Sequence, residues 1–245
     1  RVRETQPVHG TFRGLTVVST PRWHGGTQVV LGLGILDHFP ATVLRSSSAE
    51  RHRILAEAAH GAMLASGYPR SPEGVTMLVP ELRNQKAREL ARRIREHSVG
   101  GGGALTNGRE GDGNTTHLVV ADQAGMVVSL TQTLGRYFGA CSASPGLGFP
   151  YNCLLEAANL DNPLNPDYLR PQHTLPTTIA PTMVTDRDGQ LLVALGSSGS
   201  ERVLSAILNC VVNLIDGDMP LPSAVSAPRA IWDREDRLCL ELAPP

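Results

Sequence analysis

Aromatic residues make up only 4% of this chain, and the net charge of its 245 residues is −1. So few rings leave no platform for base stacking, and the balanced charge gives no pull toward phosphate, so no nucleic-acid partner is expected. Apolar runs all fall short of the roughly 20 residues that cross a bilayer, so no membrane span is expected; the polar opening, Arg1 to Gln6, has no signal-peptide shape. Cysteine is sparse as well. Cys141, Cys153, Cys210 and Cys239 are widely spaced, fit no zinc or redox pattern and read as buried free thiols. The histidines are scattered without the i, i+4 spacing of a metal site, so neither a metal nor a cofactor is expected.

What remains is an ordinary globular composition, 41% hydrophobic. The first half reads helical. Apolar positions from Thr27 to Phe39 follow Gly25-Gly26 and stop at Pro40. Ser47 with Glu50 has capping-box spacing for a second helix running to about Ser66, before Gly67. A third begins at Pro80 or Glu81, with Leu82, Ala87, Leu90, Ala91 and Ile94 as its apolar stripe and Arg83, Arg88, Arg92, Arg93 and Arg95 on the remainder. Glu81, Glu89 and Glu96 interrupt that positive charge, so the arginine face reads as solvated surface.

The second half changes period. Leu118 to Val120 and Met126 to Leu130 read as strands around the turn Asp122 to Gly125. Ser142 to Pro176 is irregular, rich in proline and asparagine, and too long for a simple turn. A second hairpin is expected from Thr178 to Val184 and Gln190 to Leu195, around Asp186 to Gly189. It runs into Gly196-Ser197-Ser198-Gly199-Ser200 and an apolar helix, Val203 to Ile215. A glycine-serine turn at a helix start presents free backbone N–H groups, which suit an oxyanion, a phosphate or simply a tight turn.

Between the halves lies Gly113-Asn114-Thr115-Thr116-His117, preceded by a linker with Gly100 to Gly103, Asn107, Gly108 and Gly111 to Gly113. A threonine pair opening a strand is what β-propensity alone produces. A second reading is chemical: breaking the Asn114–Thr115 bond would free an α-amine, with an ordinary pKa of about 7.7 to 8.0, that can act as base for the Thr115 hydroxyl.

In order and spacing, the Thr-Thr-His start, Ser129 to Leu134 (S-L-T-Q-T-L), Pro181-Thr182, and the Gly-Ser turn before Arg202 resemble the γ-glutamyltranspeptidase family of N-terminal-nucleophile hydrolases. Upstream, Phe12-Arg13-Gly14, Ser19 to Pro21 and Gly25-Gly26 are similar to the late large subunit of that family. Downstream, Val212, Asn213, Ile215, Asp216 and Ala227-Pro228-Arg229 continue the likeness.

The resemblance implies an α+β fold, the four-layer αββα sandwich, here incomplete at both ends. Residues 1–114 would be large-subunit-like and end in the glycine-rich linker; residues 115–245 would be small-subunit-like, the two parts forming one intertwined domain cut from one precursor. Thr115 would be the nucleophile, with cleavage between Asn114 and Thr115. Thr133 would support its hydroxyl, and the N–H groups of Gly199 and Ser200 would form the oxyanion hole. Thr177 and Thr178 stand where a serine pair holds the substrate carboxylate.

Gly135 replaces the family's usual asparagine. Of the acidic grip on a substrate α-amine, only Asn152 and Glu156 keep the expected character, with Ala157 beside them. An ammonium buried without its carboxylate costs several kcal/mol, so two enzyme readings follow. One is a γ-glutamyl hydrolase or acyltransferase passing its acyl group to water or an amine. The other is an acylase for a dicarboxylic-acid amide or a β-lactam side chain. A non-catalytic family member serving as scaffold is the third reading. The resemblance implies a periplasmic or extracellular setting, with the cytoplasm open.

Overall fold

The computed structural model describes residues 4–21, 23–66, 77–96, 104–105, 114–165, 167–172, 174–200, 202–232 and 238–241. Apart from Ala104 and Leu105, the glycine-rich linker before Asn114 therefore lies outside the described residues. The fold is α+β, with antiparallel strands and packed helices.

Its first element is a hairpin. Strands β1 (Val8–Phe12) and β2 (Leu15–Ser19) pair with Phe12 opposite Leu15, leaving Arg13 and Gly14 as a two-residue turn. Both have positive φ, 54° and 73°, which is the type I′ geometry that matches strand twist. Glycine accepts that conformation freely; arginine does not. Arg13 is held there by its bonds: Nε and Nη2 donate to Asp216 at 2.8 and 2.9 Å, Nη1 and Nη2 donate to the carbonyls of Asp37 and Phe39, and its backbone N–H donates to Asp37 Oδ1.

Strand β2 then pairs with a strand from the other half of the chain. The four-stranded sheet runs β1-β2-β6-β7, with β6 (Thr182–Thr185) and β7 (Leu191–Leu195) joined through Asp186, whose Oδ1 accepts the N–H groups of Asp188 and Gln190. Residues from before and after Asn114–Thr115 thus share one sheet. The expected strand from Thr178 is shorter, because Thr178 to Pro181 leave the ladder to contact the segment before the first helix.

Helix α1 (Gly26–Leu36) lies on this sheet, is mostly apolar and is buried along nearly its whole length, Thr27 and Gln28 included. Close approach sets its neighbours: a Cβ at Gly10 would stand 2.1 Å from Val30, and one at Gly32 would stand 2.7 Å from Leu208. Around it pack α3 (Ala49–Ala65), α4 (Pro80–Glu96) and α5 (Arg202–Ile215), with α2 (Ala41–Leu44) against α3 and α6 (Leu221–Ser226) against α5. Phe12, Leu31, Leu33, Leu36, Leu55, Ile207 and Leu208 form a core with no exposed surface.

Local expectations meet three corrections here. The α3 cap is Ser48, which accepts the Arg51 N–H, while Glu50 turns to Arg53 instead of back to a Ser47 capping box. Arg83 is buried, because its guanidinium donates to the carbonyls of Met77 and His9, whereas Leu82 of the supposed stripe is exposed. Of the four cysteines expected to be buried, only Cys239 is buried, and Cys141 is exposed. Spacing reports periodicity; it does not report which polar side chain finds a buried acceptor.

Strand β3 (Ala104–Leu105) pairs in parallel with β9 (Leu238–Glu241), which is antiparallel to β8 (Arg229–Trp232). The third sheet is the hairpin β4 (Thr115–Ala121) and β5 (Val127–Thr133). No described helix is long and apolar enough to cross a membrane, and no described His, Cys, Asp and Glu residues cluster as metal ligands.

Candidate active site

The β4–β5 hairpin begins where the linker ends. Its turn is fixed by Asp122, whose side chain accepts the Met126 N–H, and by Gly125 at φ 86°. The resulting register puts Thr115 opposite Thr133 and His117 opposite Thr131. Side chains alternate across a strand. Thr115, His117, Ser129, Thr131 and Thr133 therefore share the half-buried face, while Leu118, Val120, Val128 and Leu130 face outward.

The half-buried face is a hydrogen-bonded polar row. The Thr133 hydroxyl lies 3.5 Å from the carbonyl oxygen of Asn114, the carbonyl of the bond expected to break, and accepts the Gly135 N–H at 3.0 Å. His117 Nδ1 is 2.8 Å from the Thr131 hydroxyl, and its Nε2 is 3.4 Å from that of Ser129. Burial holds the His117 imidazole below its ordinary pKa of 6.5.

Beyond Thr133 the chain turns sharply. Gly135 has φ 86°, and a Cβ there would lie 2.7 Å from Cys153 Sγ. Cys153 clasps this turn: its N–H and thiol both donate to the Leu134 carbonyl, and its sulfur accepts the Arg136 N–H. A short 3₁₀ turn, Leu154–Ala157, follows. Of the two expected amine-site residues, Asn152 precedes this turn and Glu156 lies within it, and both are engaged. Asn152 Oδ1 accepts the Leu154 N–H, and Glu156 pairs with Arg136 at 2.8 Å.

The glycine-serine turn stands at the end of β7. Gly199 and Ser200 both have positive φ, 108° and 53°, and their carbonyls accept the N–H groups of Arg202 and Val203 as α5 begins. For Ser200 that conformation is uncommon and strained. Among the described residues, neither the Gly199 nor the Ser200 N–H donates to a backbone carbonyl. The turn meets the hairpin at Gly196, where a Cβ would lie 2.3 Å from the His117 ring.

Thr177 and Thr178 precede β6 and lie against the segment that leads into α1. The Thr177 N–H donates to the Trp23 carbonyl, its hydroxyl is 2.8 Å from His24 Nδ1, and a Cβ at Gly25 would lie 2.6 Å from the Thr178 carbonyl. Burial also lowers the His24 pKa.

Hairpin register and the Gly135–Cys153 clasp thus bring Asn114, Thr115, Thr133 and Gly135 into one run that borders Asn152 and Glu156. Three residues entered without an expected role: Arg136, Cys153 and His117. Strand alternation already places His117 on the Thr115 face, but no sequence spacing signals its contact with Gly196.

The family model for gamma-glutamyltranspeptidase matches residues 1–242. The chain belongs to the γ-glutamyltranspeptidase family. Among curated members it is similar to the acylase ACY 1 proenzyme of Pseudomonas sp. strain V22, with 32% identity covering 100% of this chain and 44% of the relative. It is also similar to the glutathione hydrolase proenzyme of Escherichia coli K12, with 29% identity covering 92% of this chain and 41% of the relative. The chain thus spans less than half the length of these γ-glutamyltranspeptidase-family relatives. Cephalosporin acylase from Bacillus halodurans shares the fold, with TM-score 0.72 and 22% identity over 93% of this chain and 41% of that one.

Proposed function

We propose that the protein containing this chain is an amide hydrolase or acyltransferase of the γ-glutamyltranspeptidase type that cleaves itself before Thr115. The observation that carries the reading is the Thr115–Thr133 register, with the Thr133 hydroxyl facing the Asn114 carbonyl. In the precursor, Thr115 Oγ attacks that carbonyl carbon, the peptide nitrogen departs as the Thr115 amine, and water hydrolyses the resulting ester. The fragments are then a large subunit ending at Asn114 and a small one beginning at Thr115. The shared β1-β2-β6-β7 sheet would keep them together.

In turnover the freed α-amine takes the proton from Thr115 Oγ as the hydroxyl attacks the substrate amide. It then returns that proton to the departing amine, leaving an acyl-threonine ester for water or an acceptor amine. Gly199 and Ser200 would supply the N–H pair for the developing oxyanion, a contribution of about 3 to 4 kcal/mol per donor elsewhere. Thr177 and Thr178 would take the substrate carboxylate.

Intact-mass analysis and N-terminal sequencing of the full-length protein test this. The expected small fragment begins Thr-Thr-His-Leu, and Thr115→Ala leaves one uncut chain. An uncut wild-type protein whose Thr115 resists acylating inhibitors would leave the scaffold reading instead.

A non-glutamyl acyl donor is the second reading, favoured by the Arg136–Glu156 ion pair and by the tight Gly135 turn. A side chain at Gly135 would meet both a left-handed backbone and the Cys153 sulfur, and Glu156 already has a guanidinium. Glutaryl anilide should be hydrolysed faster than γ-glutamyl anilide; the reverse order returns the glutamyl reading.

A further inference from the structure

The contact between His117 and Gly196 joins the two halves of the proposed chemistry. Thr115 and His117 are two residues apart on one face of β4, which puts their Cα atoms roughly 6.5 to 7 Å apart. The ring cannot swing freely, because the hydroxyls of Thr131 and Ser129 on β5 lie against its two nitrogens. On its other side is backbone. The three atoms nearest to a Cβ built on Gly196 are all from this ring: Nδ1 at 2.3 Å, Cε1 at 2.5 Å and Cγ at 2.7 Å. Gly196 is not in the left-handed region, so its lack of a side chain answers to the ring rather than to its φ. Three residues later come Gly199 and Ser200, both with positive φ, followed directly by α5.

We propose that His117 is a positioning residue: its ring is the spacer that fixes the distance from the Thr115 strand to the Gly199–Ser200 turn. The inference rests on the proposed nucleophilic role of Thr115. Strand pairing gives β4 and β5 their register, but it says nothing about how far the hairpin stands from the turn after β7. A rigid ring clamped by two hydroxyls and seated on a bare Cα supplies that distance. A catalytic geometry displaced by about 1 Å can lose 100-fold in rate, so such a spacer matters although it touches no substrate.

The test is a double-mutant cycle in the full-length protein with His117→Ala, Gly196→Ala and the double variant, with His117→Asn added to keep a polar group without the ring. Self-cleavage rate, kcat, KM and melting temperature are the readouts. Gly196→Ala alone should lower kcat about 100-fold, because the new methyl displaces the ring and with it the strand. KM should stay within about threefold, since substrate contacts are left in place. Once the ring is gone the methyl loses the three atoms it would press on most closely, so the double variant should match His117→Ala and the cycle should be strongly non-additive. In the His117→Asn background Gly196→Ala should keep part of its penalty, because the asparagine Cγ and one amide atom take the places of the ring Cγ and Nδ1.

Equal penalties from Gly196→Ala with and without the ring overturn the proposal, as does an unchanged kcat in Gly196→Ala. Should Gly196→Ala fail to fold, a double variant that folds and turns over like His117→Ala supports the spacer, and one that also fails to fold overturns it. A wild-type protein that never cuts before Thr115 defeats the underlying functional reading. Non-additivity confined to melting temperature would then show a purely structural contact, which overturns the positioning role.

Discussion

The layer around α1 and the segment from Asn114 to Pro176 solve opposite problems. In the first, Phe12, Leu31, Leu33 and Leu208 are wholly buried, and the charged Arg13 enters with a partner, Asp216. In the second, the half-buried face of the hairpin is hydroxyl and imidazole, while Val120 and Val128 on its outer face are 58% and 51% exposed. Tyr137 and Phe138, just after the Gly135 turn, are still more open at 78% and 75%. The difference teaches where each kind of residue is spent. Apolar burial holds the scaffold together, and the polar groups of the proposed site are gathered on a strand pair held to it by specific contacts.

Truncating the scaffold is expected to have the largest effect on stability. Phe12→Ala should cost about 3 to 5 kcal/mol, read by denaturant unfolding, because the cavity lies where nothing can collapse into it. A loss below about 1 kcal/mol would mean that the α1 layer is not the stabilising region. Next comes the clamp at the first turn. Arg13→Gly relieves an unfavourable φ yet leaves the buried Asp216 carboxylate without its guanidinium, so a net loss of about 3 kcal/mol is expected; a stabilised variant would show that backbone strain outweighs the ion pair.

A smaller effect is expected from pH, and it connects the two regions. Burial lowers the pKa of His24, His38 and His117 from 6.5, with Arg95 and Arg88 adding to the shift at His38. The unfolded chain then binds these protons more readily than the folded one. Their stabilising contribution is complete above pH 6.5 and is lost as the pH falls from there toward the folded values. Melting temperature should therefore decline on acidification through that window, and His117→Asn should flatten the slope; an unchanged slope would remove the hairpin from the effect. The smallest change is expected on the solvent face of α4, where the Arg92–Glu96 pair is well exposed. Arg92→Ala should shift stability by less than about 0.5 kcal/mol in the same melts.

Much of this molecule was legible before its structure. Helix α1, the Asp122–Gly125 and Asp186–Gly189 turns and the glycine-serine turn announce themselves through periodicity and turn chemistry, which are local properties of neighbouring residues. The motifs that carry the family resemblance pointed to Thr115 as the proposed nucleophile and Thr133 as its proposed support by the same linear logic. The misses have a common character. Ser48 rather than Ser47 caps α3, Arg83 is buried, and Glu156 is engaged by Arg136, and in each case the outcome depends on which partner a polar side chain reaches in three dimensions.

By itself, then, the sequence determined the elements, the family and the bond expected to break, because these are written in short-range order. Only the tertiary structure decided that β2 pairs with β6 across the Asn114–Thr115 junction, that Gly135 has room for nothing but Cys153, and that the His117 ring sits on Gly196. Those facts depend on surfaces brought together from distant parts of the chain, where a single Cβ or one guanidinium settles what fits.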